Sequence, residues 1–505
     1  MSKNTTILKN ASYLVFRTLL MSLIGLFTVR EVLRLLGVEE YGLFNLVFGI
    51  AALFAFINGA MVSSTQRYLS FYMGKKNEKQ LDDVWRSSLL LHFAIAIVVS
   101  VTILGFKNLI LNSMLLIEPN YSDAASFVFN LAVVSIFFTI FQAPFNALIL
   151  AKENMSFYAK LSLYDAVSKL LIVYFLHYIS GPLLEKYTSL YVGSSLIVFF
   201  SYVLYCNKKF NKKIDLKISN LDLLKEMLFY SSWNIFGNFA AIAKIQGINV
   251  LLNIFFGVVV NSAFAITNTV TGVVNGLVTS ITTAINPQIY KSYAEENYER
   301  NSQLINIGSK FGFFFCLIVV LPIFFNTQYL LELWLHEIPK YLVNFIQLAL
   351  VVMLIDCLSG TLMTGIQATG KIKIYQIVVS ISVFMNLPLS YLALQLIPKP
   401  WVIYWVALLM SLISLGLRLY FLNRLAKFSI IEYIYSVLVK VAIVLSVSGF
   451  FSWYVKGIFE TYNQMVSFLL SSIIIVLIVV ISIISFGLSF IERQFIQNKI
   501  KVYLK

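Results

Sequence analysis

Charge is scarce in this sequence. Only 12% of its 505 residues are Asp, Glu, Lys or Arg, whereas 59% are hydrophobic, and the mean hydropathy is +0.84. A soluble globular protein could not cover its surface with such a composition. The composition excludes a soluble protein and predicts an all-α polytopic membrane protein.

Cysteine and histidine are also scarce. The three cysteines and three histidines are scattered along the chain: Cys206, Cys316, Cys357, His92, His177 and His336. Their spacing fits neither a disulfide framework nor a metal site. We therefore expect no metal and no cofactor, and only coupling to a proton or sodium gradient is left open.

Long hydrophilic segments are missing as well. The longest loop expected on the outside runs only from Lys107 to Asp123. Lipid-dependent glycosyltransferases and repeat-unit polymerases usually need a large outside loop, and a primary pump needs a nucleotide-binding domain. The segment from Gly365 to Lys371 has the glycine and lysine spacing of a phosphate-binding loop, but Ile372 follows where Ser or Thr is required. We predict that the protein is not an enzyme.

Long apolar stretches fill most of the chain. A helix that crosses about 30 Å of hydrocarbon needs roughly 20 apolar residues. Windows of that length predict fourteen transmembrane spans, at approximately 11–36, 41–64, 84–106, 124–150, 159–180, 188–206, 228–256, 262–287, 305–326, 341–367, 375–396, 401–422, 434–455 and 465–490.

The distribution of positive charge predicts the topology. The first span follows a polar segment with Lys3 and Lys9, and it is too long for a signal peptide. Lys and Arg number about 24 in the loops on the side of the amino terminus and about 5 in the others, as expected of cytoplasmic loops. Both termini are therefore predicted to be cytoplasmic.

The net charge of +15 has the same origin. Basic loops such as Asn207 to Lys217 are expected to face anionic lipid headgroups, so no nucleic-acid partner is implied. The carboxyl-terminal segment, residues 491–505, is expected to be a basic helix on the same surface or a solvated tail.

An internal repeat relates the two halves of the sequence. The offset superposes span one on span seven in the same orientation, which predicts two pseudo-symmetric six-helix lobes around a central cleft, plus two C-terminal helices. A shift of 220 pairs Ser12 with Ser232, Tyr13 with Trp233, Phe16 with Phe236, Gly37 with Gly257 and Phe44 with Phe264, and one further residue pairs Tyr72 with Tyr293, Glu78 with Glu299 and Lys79 with Arg300.

The repeat divides the chain into segments. We predict a first lobe at 1–206, a basic cytoplasmic linker at 207–227, a second lobe at 228–422, helices thirteen and fourteen at 434–490 and a basic cytoplasmic tail at 491–505.

Spans seven and eight carry polar stripes at helical spacing. Such stripes form either contacts between helices or the wall of a water-filled path, and the number of positions in register favours the path. The residues are Asn234, Asn238, Asn249 and Asn253 in span seven and Thr267, Thr271, Asn275, Thr279, Thr282 and Asn286 in span eight.

Several charges are predicted inside the membrane. Lys244 and Asp356 lie near the centres of spans seven and ten, where an unpaired charge costs on the order of 3 kcal/mol. We expect them to pair, either as a structural salt bridge or as groups that exchange this contact for an anionic substrate or a proton. Asp165 and Lys169 are four residues apart and can pair on one helix face. Asp356 and Asp165 are the candidates for ion coupling.

Arginine occurs both within and at the ends of the first two spans. Arg17 lies inside span one, where a guanidinium facing a polar path could bind phosphate. Arg30, Arg34 and Arg67 lie near span ends and are expected to extend their charged groups to the interface.

Residues Gly25 to Gly74 resemble the first two helices of bacterial polysaccharide and O-antigen flippases of the multidrug/oligosaccharidyl-lipid/polysaccharide (MOP) exporter superfamily. The turn "LGVEEYGLFN" and the exit "SSTQRYLSF" carry the resemblance. It implies a transporter in the bacterial inner membrane that moves an undecaprenyl-diphosphate-linked oligosaccharide to the outer leaflet, with a polymerase and chain-length proteins as pathway partners. In this family, spans one, two, seven and eight border the central path.

Two other functions fit parts of the sequence. A multidrug or lipid II exporter would share the fold, although a drug exporter is expected to have acidic cation sites, and only Asp165 and Asp356 qualify. A membrane-embedded enzyme of glycan assembly is the other alternative, and the short outside loops argue against it.

Overall fold

The computed structural model describes residues 3–53, 55–111, 119–179, 181–335, 338–459, 463–490 and 492–494. Within these ranges the regular structure is helical, so the predicted all-α membrane class is confirmed. The long helices are α1 (Lys3–Leu53), α2 (Ala55–Gly74), α3 (Glu78–Gly105), α4 (Ser122–Ala151), α5 (Met155–Leu176), α6 (Leu183–Phe210), α7 (Leu221–Phe256), α8 (Val258–Ala294), α9 (Tyr298–Phe325), α10 (Leu342–Ala368), α11 (Lys373–Leu396), α12 (Val402–Ala426), α13 (Ile430–Phe459) and α14 (Gln464–Gly487).

Twelve helices in the described ranges are long and apolar enough to cross a membrane. The predicted second and fifth spans are helical too, but they are more polar. The second is shared between the end of α1 and α2, and α2 contains the polar run from Ser63 to Arg67. The fifth, α5, carries Lys160, Asp165 and Lys169 within 22 residues.

The backbone repeats in the two halves of the chain with an offset of 220. Gly37 and Gly257 both have φ of 76°, which only glycine adopts readily. Lys76 and Glu296 have φ of 53° and 58°, and Asn77 and Asn297 then cap α3 and α9 by accepting from the N–H three residues later. The internal repeat is therefore visible in the turns. The additional one-residue shift inferred from Tyr72 and Glu78 is wrong, because the caps between them keep the same offset.

The chain clusters into two compact units. Unit 1 contains Met1–Phe239 and Tyr290–Glu296, and unit 2 contains Ala240–Ile289 and Asn297–Lys505. The helices α7 and α8 are thus each divided: one end belongs to unit 1 and the remainder to unit 2.

The predicted basic linker is held against α3. The indole Nε1 of Trp85 donates to the carbonyl of Lys213 at 2.9 Å, Lys212 forms an ion pair with Asp82, and Arg86 Nε lies 3.1 Å from Asp215 Oδ2. These contacts fix the position of the loop, and its approach to lipid headgroups stays a prediction. The side chains of Lys208, Lys209, Lys213 and Lys217 nevertheless stay exposed. Of the predicted tail, residues 491 and 495–505 lie outside the described part of the chain.

Candidate functional site

The polar stripe of α8 lies in unit 2 and is not uniform. Thr267 is buried, Asn275 and Thr279 are exposed, and Thr271, Thr282 and Asn286 are half-buried. The threonine hydroxyls donate to carbonyls of their own helix, as in the 2.8 Å bond from Thr267 to Ala263 and the 3.0 Å bond from Thr282 to Thr279. Because these hydroxyls need no partner from another helix, the exposed middle of the stripe can face a polar path.

One end of this stripe is fixed to α10. The hydroxyl of Thr364 donates to Asn286 Oδ1 at 2.9 Å. One turn away, a Cβ on Gly360 would lie 2.9 Å from Thr282 Cγ2, so the two helices approach closely there. Asn286 and Thr282 therefore have a packing role in unit 2, whereas Asn275 and Thr279 are exposed within the unit.

The polar stripe of α7 is divided between the units. In unit 1, Asn234 is buried and Asn238 is exposed. In unit 2, Asn249 is half-buried and Asn253 is exposed. The side chains of Asn238 and Asn253 are thus accessible within their own units.

In unit 2, Lys244 and Asp356 do not form the salt bridge that the sequence analysis predicted. Lys244 on α7 is half-buried, and neither it nor Asp356 forms a hydrogen bond or ion pair with a described residue. Asp356 is the only exposed residue between Phe345 and Gly370 on a helix that is otherwise packed. The expected salt bridge does not form between these described residues, because Asp356 points away from the packed interior of its unit.

Two charged residues in unit 2 were missed by the sequence analysis. Arg418, inside α12, donates through Nη1 to Ser359 Oγ at 2.8 Å, and its Nε is buried without an acceptor. Lys310, inside α9, is 4% exposed and binds both carboxylate oxygens of Glu492, at 2.8 and 2.7 Å. Each residue is the only charge in its predicted apolar span, and a search for single charges in such spans would have found both.

Unit 1 contains a cluster of charges and aromatic rings inside the helix bundle. The guanidinium of Arg17 lies 4.5 Å from the ring centroid of Tyr158, and its Nε is buried without an acceptor. Lys169 Nζ lies 2.8 Å from Asp165 Oδ2 and 4.4 Å from the Tyr191 ring centroid. The Oδ1 atom of Asp165 is buried and accepts no hydrogen bond. Arg17 and Asp165 both act electrostatically on Tyr202, which places them in one cluster. With Lys169 the cluster contains two cations and one carboxylate, so its net charge is positive.

Arg67 does not extend to the interface as predicted. The residue is only 5% exposed. Its guanidinium lies 4.5, 4.9 and 5.3 Å from the ring centroids of Tyr68, Phe71 and Tyr230. These rings replace water around the cation and make burial tolerable. Arg30 and Arg34, by contrast, are exposed.

No group of three or more His, Cys, Asp and Glu side chains that could hold a metal occurs among the described residues. Cys206, Cys316 and Cys357 are buried free thiols. His336 lies outside the described residues.

The comparison with protein families decides the family. The MatE model matches residues 14–178 and 235–392. The chain belongs to the MatE family. The two matched segments correspond to the two halves of the internal repeat. Membership in this family is consistent with membrane transport.

Solved structures of MatE-type transporters have the same fold. A MATE structure in the bent conformation has a TM-score of 0.75 at 14% identity, covering 85% of this chain and 97% of that one. A MOP superfamily transporter from Pyrococcus furiosus, described by the reverse polarity of its binding pocket, has a TM-score of 0.74 at 13% identity over 84% and 97% of the chains. An outward-facing multidrug resistance MATE transporter of the MOP superfamily scores 0.73 at 12% identity over 85% and 97%. Among curated proteins the sequence has no match.

Proposed function

We propose that this MatE-family protein is a flippase that moves undecaprenyl-diphosphate-linked oligosaccharide repeat units from the cytoplasmic to the outer leaflet of a bacterial inner membrane. The observation that carries the proposal is the net positive cluster of Arg17, Asp165 and Lys169. A transporter of cationic drugs needs uncompensated carboxylates, whereas a diphosphate needs uncompensated cations. Arg17 forms no ion pair with a described carboxylate and can supply such a charge.

The accessible amides and hydroxyls fit the sugar part of this substrate. Asn238, Asn253, Asn275 and Thr279 are exposed within their units and offer both donors and acceptors. Lys244, half-buried and without an anionic partner among the described residues, is the second cation that can meet the diphosphate. The prenyl chain stays in lipid while the headgroup passes.

The two membrane carboxylates have different roles in this proposal. Asp165 forms an ion pair with Lys169, so it fixes the position of that ammonium within the cluster. Asp356 is exposed and forms no ion pair with a described cation, so it is the residue that can take up a proton or sodium ion. A polymerase and chain-length proteins of the same pathway are the expected partners, and both termini are expected in the cytoplasm.

The test is deletion of the gene followed by mass spectrometry of extracted membrane lipids. We expect accumulation of an undecaprenyl-diphosphate-linked repeat unit and loss of surface polysaccharide, both reversed by the wild-type gene. The masses would also identify the sugars. An unchanged pool of lipid-linked oligosaccharide would contradict the proposal.

A multidrug exporter is the second candidate, because one of the similar structures is a multidrug resistance transporter. It predicts that deletion raises sensitivity to cationic drugs and leaves surface polysaccharide intact. A lipid II exporter predicts instead accumulation of the peptidoglycan precursor.

A further inference from the structure

One cluster of contacts in unit 1 has no role in the site described above. It joins α2 to the first turns of α7. The hydroxyls of Ser64 and Ser231 lie 2.8 Å apart, and the hydroxyl of Tyr68 donates to Glu226 Oε1 at 3.0 Å. Both serines and Tyr68 are at most 3% exposed. These two contacts connect residues 167 and 158 positions apart in the sequence.

Arg67 strengthens the same cluster. Its guanidinium is enclosed by two rings from α2, Tyr68 and Phe71, and by Tyr230 from α7. The Tyr230 ring also packs edge-on against Tyr68, with centroids 5.5 Å apart. The helix α7 therefore supplies one wall of the cage around the cation, and α2 supplies the other two rings.

The end of α8 completes the contact. A Cβ on Gly74 would lie 2.7 Å from the carbonyl oxygen of Lys291 and 2.9 Å from Ala294 Cβ, so the end of α2 touches the α8 backbone. The ammonium of Lys291 forms an ion pair with Glu153 between α4 and α5. Both α7 and α8 are thus fastened at one end to helices of the first repeat.

The chemistry of this cluster suits a contact that opens. Hydroxyl, carboxylate and cation–ring contacts can be exchanged for contacts with water at modest cost, unlike a packed apolar core. The cluster lies at the end of α2, the start of α7 and the end of α8, the side that the basic loops predict to be cytoplasmic. The helices α7 and α8 continue from here into unit 2.

We propose that Ser64, Arg67, Tyr68, Glu226, Tyr230 and Ser231 form a latch that holds the cytoplasmic ends of α2 and α7 together. The latch must open in each transport cycle before a substrate can enter from the cytoplasmic leaflet. The direction of entry rests on the proposed function, but the existence of the latch does not. The latch is closed in this structure.

The first experiment measures opening without any substrate. Ala60 on α2 is 2% exposed and lies one turn before Ser64 on the same helix face, so Ala60→Cys places a thiol on the membrane side of the latch without removing a hydrogen bond. The purified protein in nanodiscs is labelled with a water-soluble maleimide. Wild-type protein gives the background of the three buried native thiols. The control is Ser452→Cys, at a buried serine on α13 whose hydroxyl has no hydrogen-bond partner among the described residues.

Tyr68→Phe combined with Ser64→Ala removes the two hydrogen bonds and keeps every ring around Arg67. We expect Ala60→Cys to be labelled about tenfold faster in this background, because a hydrogen bond to a charged group is worth that factor in an equilibrium constant. Ser452→Cys should label at the same rate in both backgrounds. An unchanged rate at Ala60→Cys would overturn the latch.

The second experiment locks the latch. Ser64→Cys with Ser231→Cys places two thiols where hydroxyls now touch, which is compatible with a disulfide. The control is Ser382→Cys with Ser414→Cys, where hydroxyls of α11 and α12 lie 3.3 Å apart within unit 2. Oxidation should stop the restoration of surface polysaccharide only in the first pair, and a reductant should restore it. Full function with a complete disulfide between positions 64 and 231 would overturn the proposal.

The labelling experiment and the deletion of the gene together separate the latch proposal from the proposed function. If labelling responds to the latch variants but deletion of the gene leaves lipid-linked oligosaccharide unchanged, the latch stands and the substrate is wrong. If deletion causes accumulation but labelling does not respond, the substrate stands and the latch is wrong.

Discussion

The two units share a repeated backbone but treat their internal charges differently. In unit 1, Asp165 and Lys169 pair with each other, and Arg17 and Arg67 lie against aromatic rings. In unit 2, Lys244 and Asp356 have no such partner among the described residues, and Arg418 donates to a serine hydroxyl. The turns repeat because the backbone conformation is the same in both halves, whereas the partners of the charged residues differ between the units. Charges that pair with each other stabilise a unit, whereas Arg17, Lys244 and Asp356, which form no ion pair with a described residue, are the groups proposed to meet substrate or ions.

The largest effect should come from Lys310 and Glu492, which form a buried ion pair in unit 2, unlike Lys244 and Asp356. Glu492→Ala leaves the Lys310 ammonium buried and unpaired, which costs about 3–5 kcal/mol. We expect a clear fall in the unfolding temperature of purified protein, measured by scanning fluorimetry. The double variant Lys310→Met with Glu492→Leu is the control and should lie much closer to wild type. Equal losses in the single and double variants would contradict a specific pair.

The same pair predicts a pH dependence. Burial opposes ionisation of Glu492, but hydrogen bonds from Lys310 and from the Ser489 N–H outweigh it and hold the pKa of Glu492 below its ordinary value of 4.5. The stabilisation is therefore complete above pH 4.5 and is lost as the pH falls through the lowered pKa. The difference in unfolding temperature between wild type and Glu492→Gln should be constant from about pH 7 to about pH 5 and shrink at lower pH. A difference that grows on acidification would refute this assignment.

An intermediate effect is expected at Arg17. Arg17→Gln removes the cation proposed to bind the diphosphate and should reduce transport roughly 10- to 100-fold, the range of a charge-assisted hydrogen bond. The unfolding temperature should change little, because the cation–ring contact with Tyr158 is worth only about 0.5–1 kcal/mol. Arg17→Lys keeps the charge and should retain more transport. The measurement is restoration of surface polysaccharide in the deletion strain at matched protein levels.

The smallest effects should distinguish the two carboxylates. Asp165→Asn breaks the pair with Lys169 and should cost about 1 kcal/mol of stability while transport still responds to the ion gradient. Asp356→Asn should leave stability unchanged, since no described partner is lost, but should abolish any dependence of transport on a proton or sodium gradient. Transport into vesicles with and without each gradient checks both. The reverse result would assign coupling to unit 1.

Much of the fold follows from hydropathy and spacing. All fourteen predicted spans are helical over nearly all of their described length, because a run of about 20 apolar residues has few alternatives in a bilayer. The repeat was readable from Gly37 and Gly257, since a glycine requirement survives when side chains diverge. The pair of Asp165 and Lys169, four residues apart, was predicted and is present. Partners that are distant in the sequence were not readable. Lys244 and Asp356 were paired by depth in the membrane alone, and Arg418 and Lys310 were overlooked because averaging over a window hides one charge.

Arg67 shows why the site is harder to predict than the fold. Its position near a span end suggested exposure, but burial depends on Tyr230, which is distant in the sequence and contributes a wall of the cage. Pattern analysis sees one helix at a time, whereas the cage needs two.

The contacts between α3 and the segment Lys212–Asp215 imply an order of assembly. They use only residues made before α7 leaves the ribosome, and chains fold from the amino terminus during synthesis. The first repeat can therefore dock its own linker while the second repeat is still being translated. The start of α7 is thereby positioned before that helix inserts into the membrane. The first half of the nascent chain thus guides the insertion of the second half.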